Sequence, residues 1–417
     1  MLPSVGRLAG ALADPLQREF VWNSLLKEFS YTHRLENCLG YPQVVELETT
    51  NHCPFRCVMC PRTYAMTRDR GHMDLGLFRE IIDQLRPAWQ VERLGRRPVI
   101  RLLHYGEPTV YPHFAESIEH CHRRGLTVSI SSNPAIWSEQ RIEEMLDCGL
   151  DDLTIMCDGL DDETSMAVRG RAASFQRGER AILELARRKV QRGLSAPRIC
   201  IAMIRQPRNA HQWAAFKRHW NGIPGIDSVY LGFFSVFDGR VPEINALAGQ
   251  LREQAPDQAQ HVARQRMLAQ FPCYYPWHSV CIAWDGRVLP CCRDYDASFV
   301  LGDLKRQTLA RIWNGPAARA LRREFNLGRI RTPMCASCPE PSLEVGLPGA
   351  FYPVARWLRR LGGGRLPGVT RQLGDAPPDL TGTQNHSREG FHRPQQAAPR
   401  SPVPSQQPQE TEDFVSV

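Results

Sequence analysis

A chain of 417 residues, 42% hydrophobic and 23% charged, has the length for one large domain plus a smaller one and the composition of a soluble globular protein. No apolar run approaches the roughly 18 residues needed to cross a bilayer, and the N-terminal apolar patch, broken by Pro15, makes a poor signal peptide, so the chain reads as cytoplasmic with no membrane partner. The formal charge of +8 comes almost wholly from arginine, 48 of 52 basic residues, and no basic run is interleaved with aromatics, which argues against nucleic acid.

Residues 1–40 read as an N-terminal helical extension, its helix predicted over 12–30 from the stripe Leu12, Leu16, Phe20, Leu25, Leu26 and Phe29. Strand-like and helical runs then alternate through 41–240. Strands are predicted at 43–49, 99–105, 126–132, 152–157, 198–204 and 228–234, and helices at 75–85, 113–125, 138–150 and 175–193. Six β–α units in series argue for an α/β fold with a parallel sheet wrapped by helices. A polar helical connector is predicted at 241–270 and a compact cysteine-rich module at 271–340. The remainder, 341–417, reads as mostly disordered, because from about 363 it is dominated by Pro, Gln, Ser, Gly and Arg. Within it AFYPVARWLRRL (350–361) reads as a short basic helix that docks on the domain rather than on a membrane.

Fourteen cysteines that cluster in a chain without a secretion signal point to metal or redox chemistry. Cys38, Cys121, Cys148, Cys157 and Cys200 are scattered and read as small core residues. Three others, Cys53, Cys57 and Cys60 in NHCPFRCVMCPR (51–62), follow the first strand directly. In parallel β/α architectures chemistry collects at that end of the strands. Thiolates suit zinc or iron–sulfur clusters. Zinc would want a fourth protein ligand, for which His52 is at hand; a [4Fe–4S] cube on three thiolates would leave one iron open to a small molecule. The second strand runs into HYGEP, the third ends in SSN and the fourth in CDG. Glu107 could hold an ammonium, with Gly106 letting the backbone approach. Ser131, Ser132, Asn133 and Asp158 could hold ribose hydroxyls or a carboxylate, although each alone would serve equally as a cap or turn.

CPFRCVMC followed by YGEP, SSN and CDG resembles the radical S-adenosylmethionine (SAM) superfamily over about 43–235. The resemblance implies a partial (β/α)6 barrel and a SAM-binding [4Fe–4S] cluster on Cys53, Cys57 and Cys60, whose fourth iron is chelated by SAM. It puts Met59 near the adenine and gives Gly106 and Glu107 the methionine amine. Tyr105 stands where the commoner GGEP form has its first glycine. Arg169, in VRGR, matches an arginine that recurs in close relatives.

The segment 271–294 carries a hairpin signal, Asp285-Gly286 between two apolar runs. A two-residue loop there would pair 282 with 289 and 280 with 291, putting Cys291 on one face and Cys281 and Cys292 on the other. With Cys335 and Cys338 of MCASCP and the preceding Cys273, the preferred set is Cys273, Cys291, Cys335 and Cys338, with Cys281 and Cys292 as reserves. Spacing alone would suit a zinc ribbon. The order from Cys273 through Gly286 to Cys291, then LGDL, IWN and C-x2-C, resembles the C-terminal SPASM or twitch domains of radical SAM enzymes. That resemblance implies one auxiliary [4Fe–4S] cluster, since no cysteine follows Cys338.

The resemblance further implies an enzyme that takes electrons from a flavodoxin- or ferredoxin-type donor, cleaves SAM to a 5′-deoxyadenosyl radical and abstracts hydrogen from a substrate C–H bond. A fully ligated auxiliary cluster suits electron transfer, and hence oxidation of a sugar or aminocyclitol, as in the twitch dehydrogenases. His104 and Asp158 are candidates for the base that takes the hydroxyl proton. An epimerase, with Cys157 as hydrogen-atom donor, and a peptide-modifying maturase are the alternatives within the superfamily; the 40 residues before the core are too few for a separate leader-binding domain. A zinc-stabilised binding protein is the alternative outside it.

Overall fold

The structure is a computed structural model that describes residues 15–85, 99–172, 174–254 and 272–339. The predicted tail from 341, the helix at 350–361 and the connector beyond 254 lie outside the described residues. Nine strands form one sheet: β1 (Val44–Leu47), β2 (Val99–Arg101), β3 (Thr127–Ser132), β4 (Asp152–Met156), β5 (Arg198–Ile204), β6 (Ser228–Gly232), β7 (Ser279–Ile282), β8 (Arg287–Leu289) and β9 (Gly302–Asp303). Their order is β6-β5-β4-β3-β2-β1-β7-β8-β9. The first six are parallel, each joined to the next by a helical crossover, as the β–α period requires. The sheet is an open, partial barrel.

Thirteen described helices accompany it in chain order: α1 (Pro15–Thr32), α2 (Pro61–Tyr64), α3 (Leu75–Gln84), α4 (Phe114–Arg123), α5 (Glu139–Asp147), α6 (Asp162–Arg169), α7 (Ser174–Gln191), α8 (Trp213–Trp220), α9 (Pro242–Gln254), α10 (Tyr275–His278), α11 (Leu309–Trp313), α12 (Pro316–Leu327) and α13 (Pro333–Ala336). Side chains alternate along each strand. Val45, Leu47, Val128, Ile130, Leu153, Ile155, Ile199 and Ile201 therefore pack against Phe78, Phe114, Ile142, Ile182 and Phe216 of the helices. The opposite, inner face is polar. One row across it, set by the strand register, reads Cys281, Glu46, Arg101, Ser129, Asp152 and Arg198.

The cysteine-rich module continues this sheet. Strand β7 lies parallel to β1, with Val45 opposite Val280 and Glu46 opposite Cys281. The hairpin register differs from the expected one by a residue: Cys281 pairs with Leu289 and Ile282 with Val288. The connection has three residues, Trp284, Asp285 and Gly286, and closes with Ala283 N–H donating to the Arg287 carbonyl at 2.9 Å. Gly286 takes φ +88°, the left-handed position that ends a three-residue hairpin loop. The one-residue change puts Cys281 in an apolar cluster with Ala283, Leu289 and Ala297.

Candidate active site

The first cysteine loop leaves β1 and is fastened at three places. Arg62, in α2, donates to the carbonyls of Asn51 (3.2 Å), Phe55 (3.0 Å) and Cys53 (2.5 Å). The amides of Arg56 and Val58 donate to the carbonyls of Arg169 and Val168 at the end of α6, both at 3.0 Å. Cys60 is the N-cap of α2, where Pro61 fills the first helical position. Cys53, Cys57 and Cys60 border an apolar cluster with Phe55, Met59, Tyr105, Val168 and Phe234. Burial pushes the thiols of Cys53 and Cys60 up to about 12, so they part with their protons only for a cation bound among them. Met59 is buried, with the Gln206 amide 3.9 Å from its sulfur.

Gly106 and Glu107 meet this loop from β2. A Cβ on Gly106 would stand 1.8 Å from the Thr50 carbonyl oxygen, so glycine is dictated here by the neighbouring backbone. The Glu107 carboxylate is buried. Its Oε1 accepts from Ser132 Oγ (2.6 Å), Thr109 Oγ1 (2.7 Å) and Thr109 N (3.2 Å), and its Oε2 from Asn133 N (2.9 Å). Burial still outweighs these bonds and raises its pKa. The Asn133 side chain caps the next turn by accepting from Ala135 N, and Ser132 Oγ accepts from Trp137 Nε1 at 2.8 Å. Ser131 is half-buried on the inner face. Asp158 accepts from Ile204 N and pairs with Arg169, whose Nη1 lies 3.4 Å from Cys57 Sγ. Glu107, Ser132 and Asn133 thus form one hydrogen-bonded unit, and Asp158 and Arg169 another that reaches the loop.

The residues considered for proton and hydrogen-atom transfer, His104, Asp158 and Cys157, all have partners within the protein. His104 is buried with both ring nitrogens engaged, Nδ1 with Glu48 Oε1 (3.2 Å) and Nε2 with the Cys292 carbonyl (3.1 Å). Asp158 is committed to Arg169. Cys157 continues the helix-packed side of β4, buried with Leu153 and Ile155, and burial pushes its thiol up to about 12. Alternation turns it away from the inner face. His52, the neighbour considered for zinc, stacks on His72 with ring centroids 4.6 Å apart.

Cys273, Cys291, Cys335 and Cys338 line one largely apolar cavity, together with Tyr275, Leu321, Phe325 and Met334. The loop before α10, the end of the hairpin and α13 each bring part of the set. Four thiolates around one cavity fit a closed iron–sulfur cluster. Neither Cys281 nor Cys292 lines it: Cys281 sits in the hairpin's apolar cluster, and Cys292 lies directly behind the lining, its thiol beside that of Cys291 and 3.6 Å from Tyr275 Oη.

Sequence reasoning missed the connection between the two cysteine sites. Tyr105 Oη donates to the Cys292 carbonyl at 2.8 Å, one residue beyond Cys291. Arg68 grips the Glu48 carboxylate with two nitrogens, at 2.5 and 2.6 Å, and donates from Nε to the Tyr295 carbonyl. Burial opposes ionisation of Glu48, but the bonds from Arg68 and His104 outweigh it and hold its pKa well below the carboxylate range. No spacing rule marks Arg62, Arg68 or Glu48. The only sequence signal was a bulky tyrosine before Gly106.

Glu46, on the inner face of β1, is 5% exposed, and its Oε2 has no hydrogen-bond partner. Arg101 Nη1 lies 3.8 Å from its Oε1, and Cys292 is close by. Burial pushes this carboxyl up to about 8.

Comparison with known proteins agrees with this geometry. The family model of the radical SAM superfamily matches residues 47–201, and that of the SPASM iron–sulfur cluster-binding domain matches 273–339. A tungsten-containing aldehyde ferredoxin oxidoreductase cofactor-modifying protein of Pyrococcus furiosus is 22% identical over 325 residues, 70% of this chain and 86% of that protein. A PqqA peptide cyclase of Bradyrhizobium diazoefficiens is 25% identical over 175 residues, 42% of each chain. Among solved structures, Streptococcus suis SuiB bound to precursor peptide SuiA superposes with a TM-score of 0.52 at 14% identity, covering 79% of both chains. At that identity the likeness speaks for the fold.

Proposed function

The chain belongs to the radical SAM superfamily and carries a C-terminal SPASM domain, and from that premise we propose that it oxidises a C–H bond of a polar small molecule of the sugar or aminocyclitol class. When bound, SAM and the two clusters would supply hydrogen-atom abstraction and an acceptor for the remaining electron. Cys53, Cys57 and Cys60 would hold the first cluster; Cys273, Cys291, Cys335 and Cys338 would hold the second. Glu107 offers the open side of Oε2, which accepts a single bond from Asn133, to the methionine ammonium. Met59 borders the adenine, and Ser131 and Asn133 face the ribose. Arg169, fixed by Asp158, keeps the Cys57 sulfur in place.

Glu46 takes the substrate's hydroxyl proton, because its Oε2 has no hydrogen-bond partner and Arg101 stays 3.8 Å from its Oε1, whereas Asp158, whose Oδ2 also lacks one, is ion-paired with Arg169. Ser129, Ser131, Thr154, Ser228 and Tyr230 share that face through the strand register, and their hydroxyls suit a polyhydroxylated substrate. A flavodoxin- or ferredoxin-type protein supplies the electrons.

The observation that carries the reading is the convergence of four cysteines on one cavity. Four thiolates leave no open iron for substrate, which suits an electron acceptor. The names of the P. furiosus and B. diazoefficiens relatives favour a second reading, modification of a cofactor or a peptide. Anaerobic turnover with SAM against sugars, cyclitols, peptides and cofactor precursors separates the two. Stoichiometric SAM consumption with a ketone product supports oxidation. An isomer of unchanged mass, or a modified peptide or cofactor, overturns it.

A further inference from the structure

The protein's net positive charge has an address. Of 52 basic and 44 acidic residues in the chain, eight basic and one acidic fall within 305–331, which leaves 44 against 43 elsewhere. This segment runs from the end of β9 through α11 and α12 to the turn leading to α13; Arg322 is buried, the other seven basic residues are exposed, and α12 walls the four-cysteine cavity. Leu321 and Phe325 of α12 line that cavity, while Arg319 and Arg323, on the same helix, are exposed. Arg329 and Arg331 are exposed in the turn that runs into Thr332 and Cys335. Among them stands Leu327, 65% exposed at the end of α12, where Gly328 closes the helix in the left-handed conformation. Neighbouring acids temper the patch without cancelling it. Glu36 pairs with Arg323, Asp303 lies 3.7 Å from Arg306, and Glu324 accepts from the Arg331 and Thr332 amides. On α7 every one of Arg187, Arg188 and Arg192 is bonded to a carboxylate, from Glu184, Glu143 or Asp147, whereas on α12 and its turn, among the described residues, only Arg323 is, to Glu36.

We propose that the outer surface of α12 and the following turn is the docking site for an acidic one-electron carrier protein, which exchanges electrons with the chain through the four-cysteine site. An apolar knob ringed by arginines that outnumber the neighbouring acids suits a small, transient, electrostatically steered interface. A helix is about 10–12 Å across with its side chains, so a carrier seated on the outer face of α12 is one helix width from the cavity on its inner face. The inference rests on an iron–sulfur cluster bound by Cys273, Cys291, Cys335 and Cys338, and does not depend on which substrate is oxidised.

The test uses the iron-loaded full chain and a purified acidic bacterial flavodoxin. Binding is followed through the flavin absorbance, and cluster reduction by flavodoxin hydroquinone is compared with reduction by dithionite. Reversing three charges (Arg319→Glu, Arg323→Glu, Arg329→Glu) is expected to weaken binding and slow flavodoxin-driven reduction roughly 10- to 100-fold at low salt, to flatten the salt dependence, and to leave dithionite reduction unchanged. Leu327→Asp, a single change at an exposed position, is expected to act in the same direction. Unchanged flavodoxin binding in both variants overturns the proposal, as does an equal loss on reversing Arg187 and Arg192 of α7. Wild-type binding of a short RNA in place of flavodoxin also overturns it. Iron and sulfide analysis of each protein keeps a missing second cluster distinct from a missing docking site.

Discussion

Replacing Glu107 by glutamine tests the logic of the strand ends most directly. The side chain keeps its shape, but one acceptor oxygen becomes a donor. The cheaper orientation turns the new NH2 toward Asn133 N, since the other side faces three donors. A buried backbone N–H then loses its acceptor, at about 1–3 kcal/mol, and three charge-assisted bonds become neutral ones, each weaker by about 1 kcal/mol. Burial raises the pKa of the native carboxyl, so its ionised form carries a desolvation cost that glutamine avoids. The balance is a destabilisation of about 3 kcal/mol. Anaerobic urea titration of the iron-loaded protein should show a lower midpoint at unchanged slope, and equilibrium binding should show weaker SAM affinity. A loss below about 1 kcal/mol would mean that the Ser132–Glu107–Asn133 unit does not hold the two strand ends together.

Gly106→Ala should cost more than ordinary helix or strand propensity explains, about 3 kcal/mol or more, because its Cβ meets the Thr50 carbonyl and no rotamer relieves a backbone clash; the same urea titration reads it. Cys291→Ala should lower iron from about eight to about four per chain, whereas Cys292→Ala and Cys281→Ala should leave it unchanged; a halving in Cys292→Ala would reassign the ligand set. Burial lowers the Lys27 pKa to about 7 from 10.5, so between pH 7 and 10.5 the unfolded chain holds a proton the folded one lacks. Lys27 should therefore contribute a rise in stability with pH through that window of about 5 kcal/mol, against which the buried thiols act as pH passes 9, and the difference in urea midpoints between wild type and Lys27→Met should carry that dependence. With an identified substrate, ketone formation should rise as pH passes about 8, where the Glu46 carboxyl loses its proton. Glu46→Gln should abolish that rise while deuterium still reaches 5′-deoxyadenosine.

Strand positions were legible because a parallel sheet buried under helices needs long apolar alternation: 198–204 is a strand end to end, and 152–157 is one residue shorter at β4. The other runs overshot where buried side chains, polar as well as apolar, continue beyond the ladder, as at Gln43, Glu48 and Thr49 around β1. Residues 102–105 are such a case, since His104 and Tyr105 are buried for the network they make with Glu48 and Cys292. The hairpin register was not legible. Asp285-Gly286 serves a two- or a three-residue loop equally, and the choice rests on where Ala283 N finds its acceptor. The four-cysteine set converges all the same, because Cys273, Cys335 and Cys338 come from segments outside the hairpin.

What no motif announced is that the two cysteine sites share a sheet. A separate module would hold its cavity at a distance set by a linker, free to vary as the linker bends. Here β7 is hydrogen-bonded to β1, the strand that delivers Cys53, Cys57 and Cys60. The same region is crossed by Tyr105 and His104 to the Cys292 carbonyl and by Arg68 from Glu48 to Tyr295. Every one of these groups is buried, so displacing the module would strand a carboxylate and several donors without partners, at a cost far above that of an exposed contact. The spacing between the sites is therefore fixed by the fold. Tyr105, standing beside Gly106 in place of a second glycine, is one of the side chains that fix it. Tyr105→Phe removes a single bond to the Cys292 carbonyl and should leave the iron content intact. If the phenol helps to hold the spacing, the magnetic coupling between the two reduced clusters should change in that variant, and an identical spectrum would assign the spacing to the sheet alone.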